Sequence, residues 1–182
     1  MAVDIDDTST PPLKRHPTLQ PLSREHMNGL IQARNLQRAA SEAGPERARA
    51  VDDFVRAWRS EIEEHFDDEE RLLLPLTSSQ SLRDRLLDEH RAIREQAALC
   101  EQRQGLFIQE SERMRTLGKM LHDHIRWEER VYFESVQREH AAALSRMEQD
   151  AAAIEERRPG ARARLRLACE AANEPREGEQ DG

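Results

Sequence analysis

The chain has 182 residues, a formal net charge of −8, 35% charged residues and only 4% aromatic ones. That length allows one domain with a real core but not two large ones. The negative balance argues against nucleic acid as the main partner, and no run nears the ~18 apolar residues of a membrane span.

Richness in Ala, Leu, Arg and Glu with seven glycines is the usage of long amphipathic helices, and no alternating Val, Ile and Thr run suggests a strand. Cys100 and Cys169 lie far apart without metal-ligand spacing and read as free thiols of a reducing cytosol, Cys100 as a small apolar core residue. The opening MAVDIDDTSTPPLKRHP is acidic and lacks the apolar stretch of a signal peptide. The expectation is a cytoplasmic protein, monomer or homodimer, with neither a membrane nor a nucleic-acid partner.

In chain order, residues 1–20, with Pro11, Pro12 and Pro17 followed by Pro21, read as an extended or disordered arm. Ser23 is the expected N-cap of a first helix with His26, Leu30, Ala33, Leu36 and Ala40 on one stripe. The SEAGP run Ser41–Pro45 ends it, and Pro45 suits the first turn of the next helix. That second helix runs from about Glu46 into LLLP, its stripe joining Val51, Phe54 or Val55, Trp58, Ile62, His65, Glu69 and Leu72 or Leu73. A third helix starts near Ser79 or Ser81, with Leu86, His90, Ile93 and Ala97 in register. Leu106–Glu110 reads as a connection, and Ser111 as the cap of a fourth helix. Its stripe is Met114, Leu117, Leu121, His124, Glu128 and Val131, and it continues past Leu144. Four helices with short connections predict an all-α, up-down-up-down four-helix bundle over residues 21–150. Residues 151–182 read as a C-terminal helical extension and polar tail, whose ARARLRLA segment is a solvated helix.

Two stretches stand out. LHDHIRWEER (Leu121–Arg130) places His124 and Glu128 four apart, and EHFDDEER (Glu64–Arg71) places His65 and Glu69 likewise. On a helix that spacing stacks imidazole and carboxylate on one face. Each half also has a single earlier histidine in similar surroundings, His26 in REHMNGL and His90 in DEHRAIR. The pattern is an internal repeat with a pseudo-twofold relation, bringing four His and two Glu from four helices to one place. Buried groups of this kind need each other or a cation between them. Imidazoles with carboxylates that can each span two cations suit a pair of Fe, Mn or Zn ions. A ferritin-type di-iron carboxylate site is excluded, because none of the seven histidines has Glu three residues before it. His122 lies about 200° round the helix from His124 and faces away. His16 in the arm and the distant His140 are not candidate ligands, and Trp58 and Trp127 read as packing residues.

Through His26, His65, Glu69, His90, His124 and Glu128, the chain resembles the hemerythrin-like (HHE cation-binding) family over roughly residues 20–140. PLSREH, HFDDEERLLLP and HIRWEERVYF look particularly like bacterial members. The resemblance implies a left-handed four-helix bundle around a non-haem di-iron centre. One iron would be held by His26 and His65, the other by His90 and His124, with Glu69 and Glu128 bridging; Zn or Mn are substitutes. Family oxygen carriers have a fifth histidine where this chain has Arg94, and arginine cannot ligate metal. Six protein ligands are like those of the symmetric four-His subgroup found in iron-sensing domains. An open coordination position would then take O2, NO, peroxide or water, with Arg94 hydrogen-bonding a bound anion. The function expected is binding of iron and a small ligand as sensor, scavenger or iron store. A binding protein is favoured over the alternatives: a di-iron enzyme of peroxide dismutation or NO reduction, and a metal-free or zinc-bound helical interaction module.

Overall fold

The computed structural model describes residues 14–158 and contains, among these, only helices and their connections. The helices are α1 (Gln20–Ala39), α2 (Gly44–Ala57), α3 (Glu63–Leu73), α4 (Gln80–Gln102), α5 (Gln104–Gln109), α6 (Ser111–Trp127), α7 (Phe133–Ser145) and α8 (Glu148–Arg157). Two π-helical segments, Trp58–Ile62 and Glu128–Tyr132, join α2 to α3 and α6 to α7 without a break. Four long rods result: α1, α2–α3, α4 and α6–α7. α1 lies between α2 and α6, and α4 closes the bundle against α6 and the α2–α3 rod. No helix among the described residues is long and apolar enough to cross a membrane.

Local sequence accounts for some of the boundaries. The Ser79 hydroxyl accepts a hydrogen bond from the Leu82 amide (3.4 Å) and caps α4, while Pro45 sits in the first turn of α2. Ser23, expected as a cap, instead lies inside α1. A 3-10 turn, Pro17–Leu19, leads directly into α1, whose first turn holds Pro21. A proline there loses no hydrogen bond and is already set for a helical turn. Part of the expected arm is thus packed: Arg15, Thr18 and Leu19 are buried, and the Thr18 hydroxyl donates to the Leu144 carbonyl (2.9 Å). Residues 1–13 of that arm lie outside the described residues. Ser111 is the first residue of α6 rather than its cap. The expected connection at Leu106–Glu110 is largely the short helix α5, which drives Phe107 fully into the core.

The π segments shift register, and one stripe residue changes as a result. Val131 is 44% exposed and Tyr132 is fully buried in its place. A π turn takes up one residue more than an α turn, so the inward face passes from Glu128 to Tyr132 rather than Val131. The Tyr132 hydroxyl then pairs with that of Thr77 at 2.9 Å.

The apolar interior has two parts. One is built around Leu36, Phe54, Trp58, Phe66, Ile93, Cys100, Phe107 and Leu117. The other is built around Leu19, Leu22, Leu73, Leu86, Tyr132, Phe133 and Leu144. Cys100 is a buried thiol whose pKa burial pushes up to about 12, so it stays protonated and inert. At Gly118 a Cβ would stand 2.6 Å from the Ala33 carbonyl oxygen, so glycine there sets the close approach of α1 and α6. Beyond residue 150, α8 folds back on α1 and buries Ala151 and Ile154. The polar tail from residue 159 onward, including Cys169, lies outside the described residues.

Candidate metal centre

Between the two apolar parts lies a polar layer. α1 supplies His26, α3 supplies His65 and Glu69, α4 supplies His90, α6 supplies His124, and the second π segment opens with Glu128. All six side chains are buried, none more than 5% exposed. The structure brings all six together.

Each carboxylate faces both halves of the layer. Glu69 Oε1 stands 3.5 Å from His26 Nε2 and 3.3 Å from His65 Nε2, and its Oε2 stands 3.4 Å from His90 Nε2. Glu128 Oε2 stands 3.2 Å from His26 Nε2, and its Oε1 stands 3.4 Å from His90 Nε2 and 3.0 Å from His124 Nε2. Two donor groups follow, His26–His65–Glu69–Glu128 and His90–His124–Glu69–Glu128, each offering atoms within 4.8 Å of one another.

Those distances match the edges that a coordination polyhedron would have. Ligands at ~2.0–2.2 Å from a first-row cation stand about 3.0 Å apart at a right angle and about 3.4 Å apart at the tetrahedral angle. The four Nε2 atoms and all four oxygens of Glu69 and Glu128 are buried without a hydrogen-bond partner. A buried polar group without a hydrogen bond costs about 1–3 kcal/mol. Cations in the two donor groups would satisfy all eight. The residues fit a pair of metal ions.

The outward face of each imidazole is equally specified. Nδ1 of His26 bonds Glu129 (2.6 Å), that of His65 bonds Glu25 (2.8 Å), that of His90 bonds Glu70 (2.7 Å) and that of His124 bonds Glu89 (2.8 Å). A carboxylate only accepts, so each Nδ1 donates and each Nε2 is turned inward as the ligand atom. These four glutamates are the functional residues that reading of the sequence missed. Their signal was adjacency: Glu25 and Glu89 precede the single histidines, and Glu70 and Glu129 follow the inner glutamates. The hydrogen bond from His90 is the main reason Glu70 ionises below the usual carboxylate range. Burial pushes Glu89 and Glu129 up, but the hydrogen bonds from His124 and His26 hold both below that range as well.

Aromatic rings fix the imidazole planes. Phe66 stacks on His90 with centroids 3.9 Å apart and meets His124 edge-on, while Phe133 stacks on His26 at 5.3 Å. Trp58 packs against Phe54 and Phe66, and Trp127 stacks on Tyr132. A cavity of about 10 Å³, enough for one water-sized molecule, borders His26 and His65 between Gly29, Ile62, Phe66 and Ile125.

Arg94 is placed differently from the sequence-based expectation. Its guanidinium donates to Glu70 (2.6 Å) and Asp67 (2.8 Å) and lies over the Phe66 ring. It is thus committed to two carboxylates, because α3 presents negative charge exactly one layer outside the histidines, and it reaches His90 only through Glu70. The remaining histidines stand apart from the centre. His16 caps the Pro17–Leu19 turn, His122 is 45% exposed beside Asp123, and His140 sits at a kink in α7 against Ser78.

No curated protein and no solved structure matches the chain. Residues 18–136, which span the whole donor set, match the family described as the hemerythrin HHE cation binding domain. With most of its length matched, and with a cation-ready pair of donor groups in the middle of an all-helical bundle, the chain belongs to the hemerythrin HHE cation-binding family.

Proposed function

We propose that the protein holds two iron ions and binds a small ligand, O2, NO or peroxide, acting as a sensor, scavenger or iron store. The observation that carries this is the set of eight buried, inward-facing donor atoms with no partner, divided into two groups that share both carboxylates. His26, His65, Glu69 Oε1 and Glu128 Oε2 would hold one ion, and His90, His124, Glu69 Oε2 and Glu128 Oε1 the other. Two nitrogens and two oxygens per ion suit iron, with manganese or zinc as substitutes, and leave coordination positions open. Iron held there would supply a redox-active Lewis acid.

The protein's own groups support binding over turnover. The cavity beside His26 and His65 has room for one water-sized molecule and is largely apolar. The carboxylates bordering it are engaged, Glu25 by His65 and Arg158 and Glu61 by Asn28.

Metal analysis of aerobically purified protein with a visible spectrum tests the proposal. Two irons per chain, with charge-transfer bands that shift on adding azide or NO, is the expected result. His65→Ala or Glu128→Ala should abolish stoichiometric iron, and retention at the wild-type level would refute the assignment. A protein that takes up no iron even after anaerobic ferrous loading would instead be a helical interaction module.

A further inference from the structure

Each carboxylate that holds a histidine is itself held by an arginine. Arg94 bonds Glu70 (2.6 Å), Arg85 bonds Glu89 (2.7 Å), Arg15 bonds Glu129 (2.6 Å) and Arg158 bonds Glu25 (2.8 Å). Four relays of arginine, glutamate and histidine therefore converge on the centre.

The relays are not equivalent. Arg85 and Arg94 come from α4, inside the matched domain, and their side chains are 48% and 29% exposed. Arg15 and Arg158 come from just before and well after the matched residues 18–136, and are only 6% and 4% exposed. Both buried arginines serve the same half, Arg15 acting through Glu129 on His26 and Arg158 through Glu25 on His65. Solvent screens the α4 pairs, whereas a buried charge-assisted pair keeps its strength and its geometry.

Arg158 is the more elaborate of the two. Its Nε meets Glu25 Oε1 at 2.8 Å, its Nη2 meets Asp68 Oδ2 at 2.6 Å, and its Nη1 meets Glu64 Oε1 at 2.8 Å. The planar fork thus ties α8 to α1 and α3 at the place where His65 is oriented. Neighbouring Arg157 adds a second contact to Asp68 (2.8 Å). Ala151 and Ile154 anchor α8 in the correct place for this reach.

We infer that Arg15 and Arg158 are positioning residues for His26 and His65, so that the segments flanking the domain make the two metal positions unequal, the His26–His65 position holding its ion more tightly. This rests on the two-metal reading of the centre. Partners one layer out from a metal ligand commonly change metal affinity by about 10–100-fold, and the arginines stand one layer further, so about tenfold is expected.

The test uses the full chain loaded with two equivalents of Co(II) and titrated with a chelator while the d–d bands are followed. Wild type should release its ions in two steps. In Arg158→Gln the later step should move to about tenfold lower chelator concentration with a change in its band position, while the earlier step stays. Loss of α8 packing alone would lower the melting temperature without altering one ion's bands selectively. Arg91→Gln, at an exposed arginine paired with Asp88, should match wild type in both steps. Movement of the earlier step, of both together or of neither would overturn the inference. Should Arg158→Gln fail to fold, Arg15→Gln applies the same test through Glu129 and His26. A wild-type chain that binds no cobalt refutes the two-metal reading and this inference with it; two ions bound with an unaffected Arg158→Gln refutes this inference alone.

Discussion

Protons and cations compete for the same nitrogens in this bundle, and the competition has a measurable size. Burial pushes the His65 imidazole down, but the charge of Glu69 and the hydrogen bond with Glu25 outweigh it and raise the pKa to about 9. Burial opposes protonation of His90 too, and the nearby carboxylates of Glu128 and Glu69, with the hydrogen bond to Glu70, raise it to about 10. At about 1.4 kcal/mol per pH unit, stripping these protons at pH 7 costs about 3 kcal/mol at His65 and about 4 kcal/mol at His90. A metal ion must displace them, so each proton released steepens apparent affinity about tenfold per pH unit. With at least one proton released per ion, binding at pH 8 should be at least about a hundredfold tighter than at pH 6. Competition against a chelator with Zn(II) or Co(II) measures this, and calorimetry in two buffers of different ionisation heat counts the protons. A change of less than about threefold between pH 6 and 8, with no proton release, would refute the reasoning. The metal-free chain should behave in the opposite sense. Imidazoles raised above their unfolded value stabilise fully below about pH 6.5, and that contribution is lost as pH rises through 9 and 10. Glu69 and Glu128 are held below the usual range, so their contribution is present above about pH 4.5 and is lost only as pH falls through their lowered values.

Removing the metal should lower the melting temperature by at least about 10 °C, since restoring protein-only contacts leaves several kcal/mol of buried donors poorly satisfied. Differential scanning calorimetry before and after chelation checks this, and an unchanged melt would count against the centre. The π-shifted register is tested by a pair of variants. Val131→Ser, at a 44% exposed site, should change stability by no more than about 0.5 kcal/mol, whereas Tyr132→Ser, fully buried, should cost about 3–5 kcal/mol in urea unfolding. Equal effects would place both residues on the same side of the helix.

The six inner residues were legible because two independent patterns coincide on them. Helical spacing puts His65 with Glu69 and His124 with Glu128 on one face, and the repeat joins each pair to a single histidine. The four outer glutamates were hidden among 36 acidic residues, visible only as neighbours of the inner ones in both halves. The π segments left a fainter trace. Buried residues at Phe54, Trp58 and Ile62, and again at His124, Glu128, Tyr132 and Val136, recur every fourth residue. An α-helix turns about 40° too far over each such step, and a wider turn restores the face. Arg94 was read from its spacing to His90, which places its backbone correctly but says nothing of Asp67 and Glu70 on the facing helix. The return of α8 had no local signal at all. Arg158 is one of 28 basic residues, and its role depends on contacts with Glu25 and Asp68 far away in the chain.

The repeat explains why the centre cannot be assembled from one half of the bundle. Glu25 serves His65 and Glu89 serves His124 within their own halves, but Glu70 crosses to His90 and Glu129 crosses back to His26. The inner glutamates cross as well, each presenting one oxygen to either side. Each donor group therefore takes two imidazoles from one half and carboxylate oxygens from both, so a cation in either group would engage three of the four rods, and the two groups together engage all four. The layer also separates two apolar clusters, of which one stacks Phe66 on His90 and the other stacks Phe133 on His26. A cation in each donor group would add its attraction for four donor atoms at that level, and binding a metal and completing the fold would become one equilibrium.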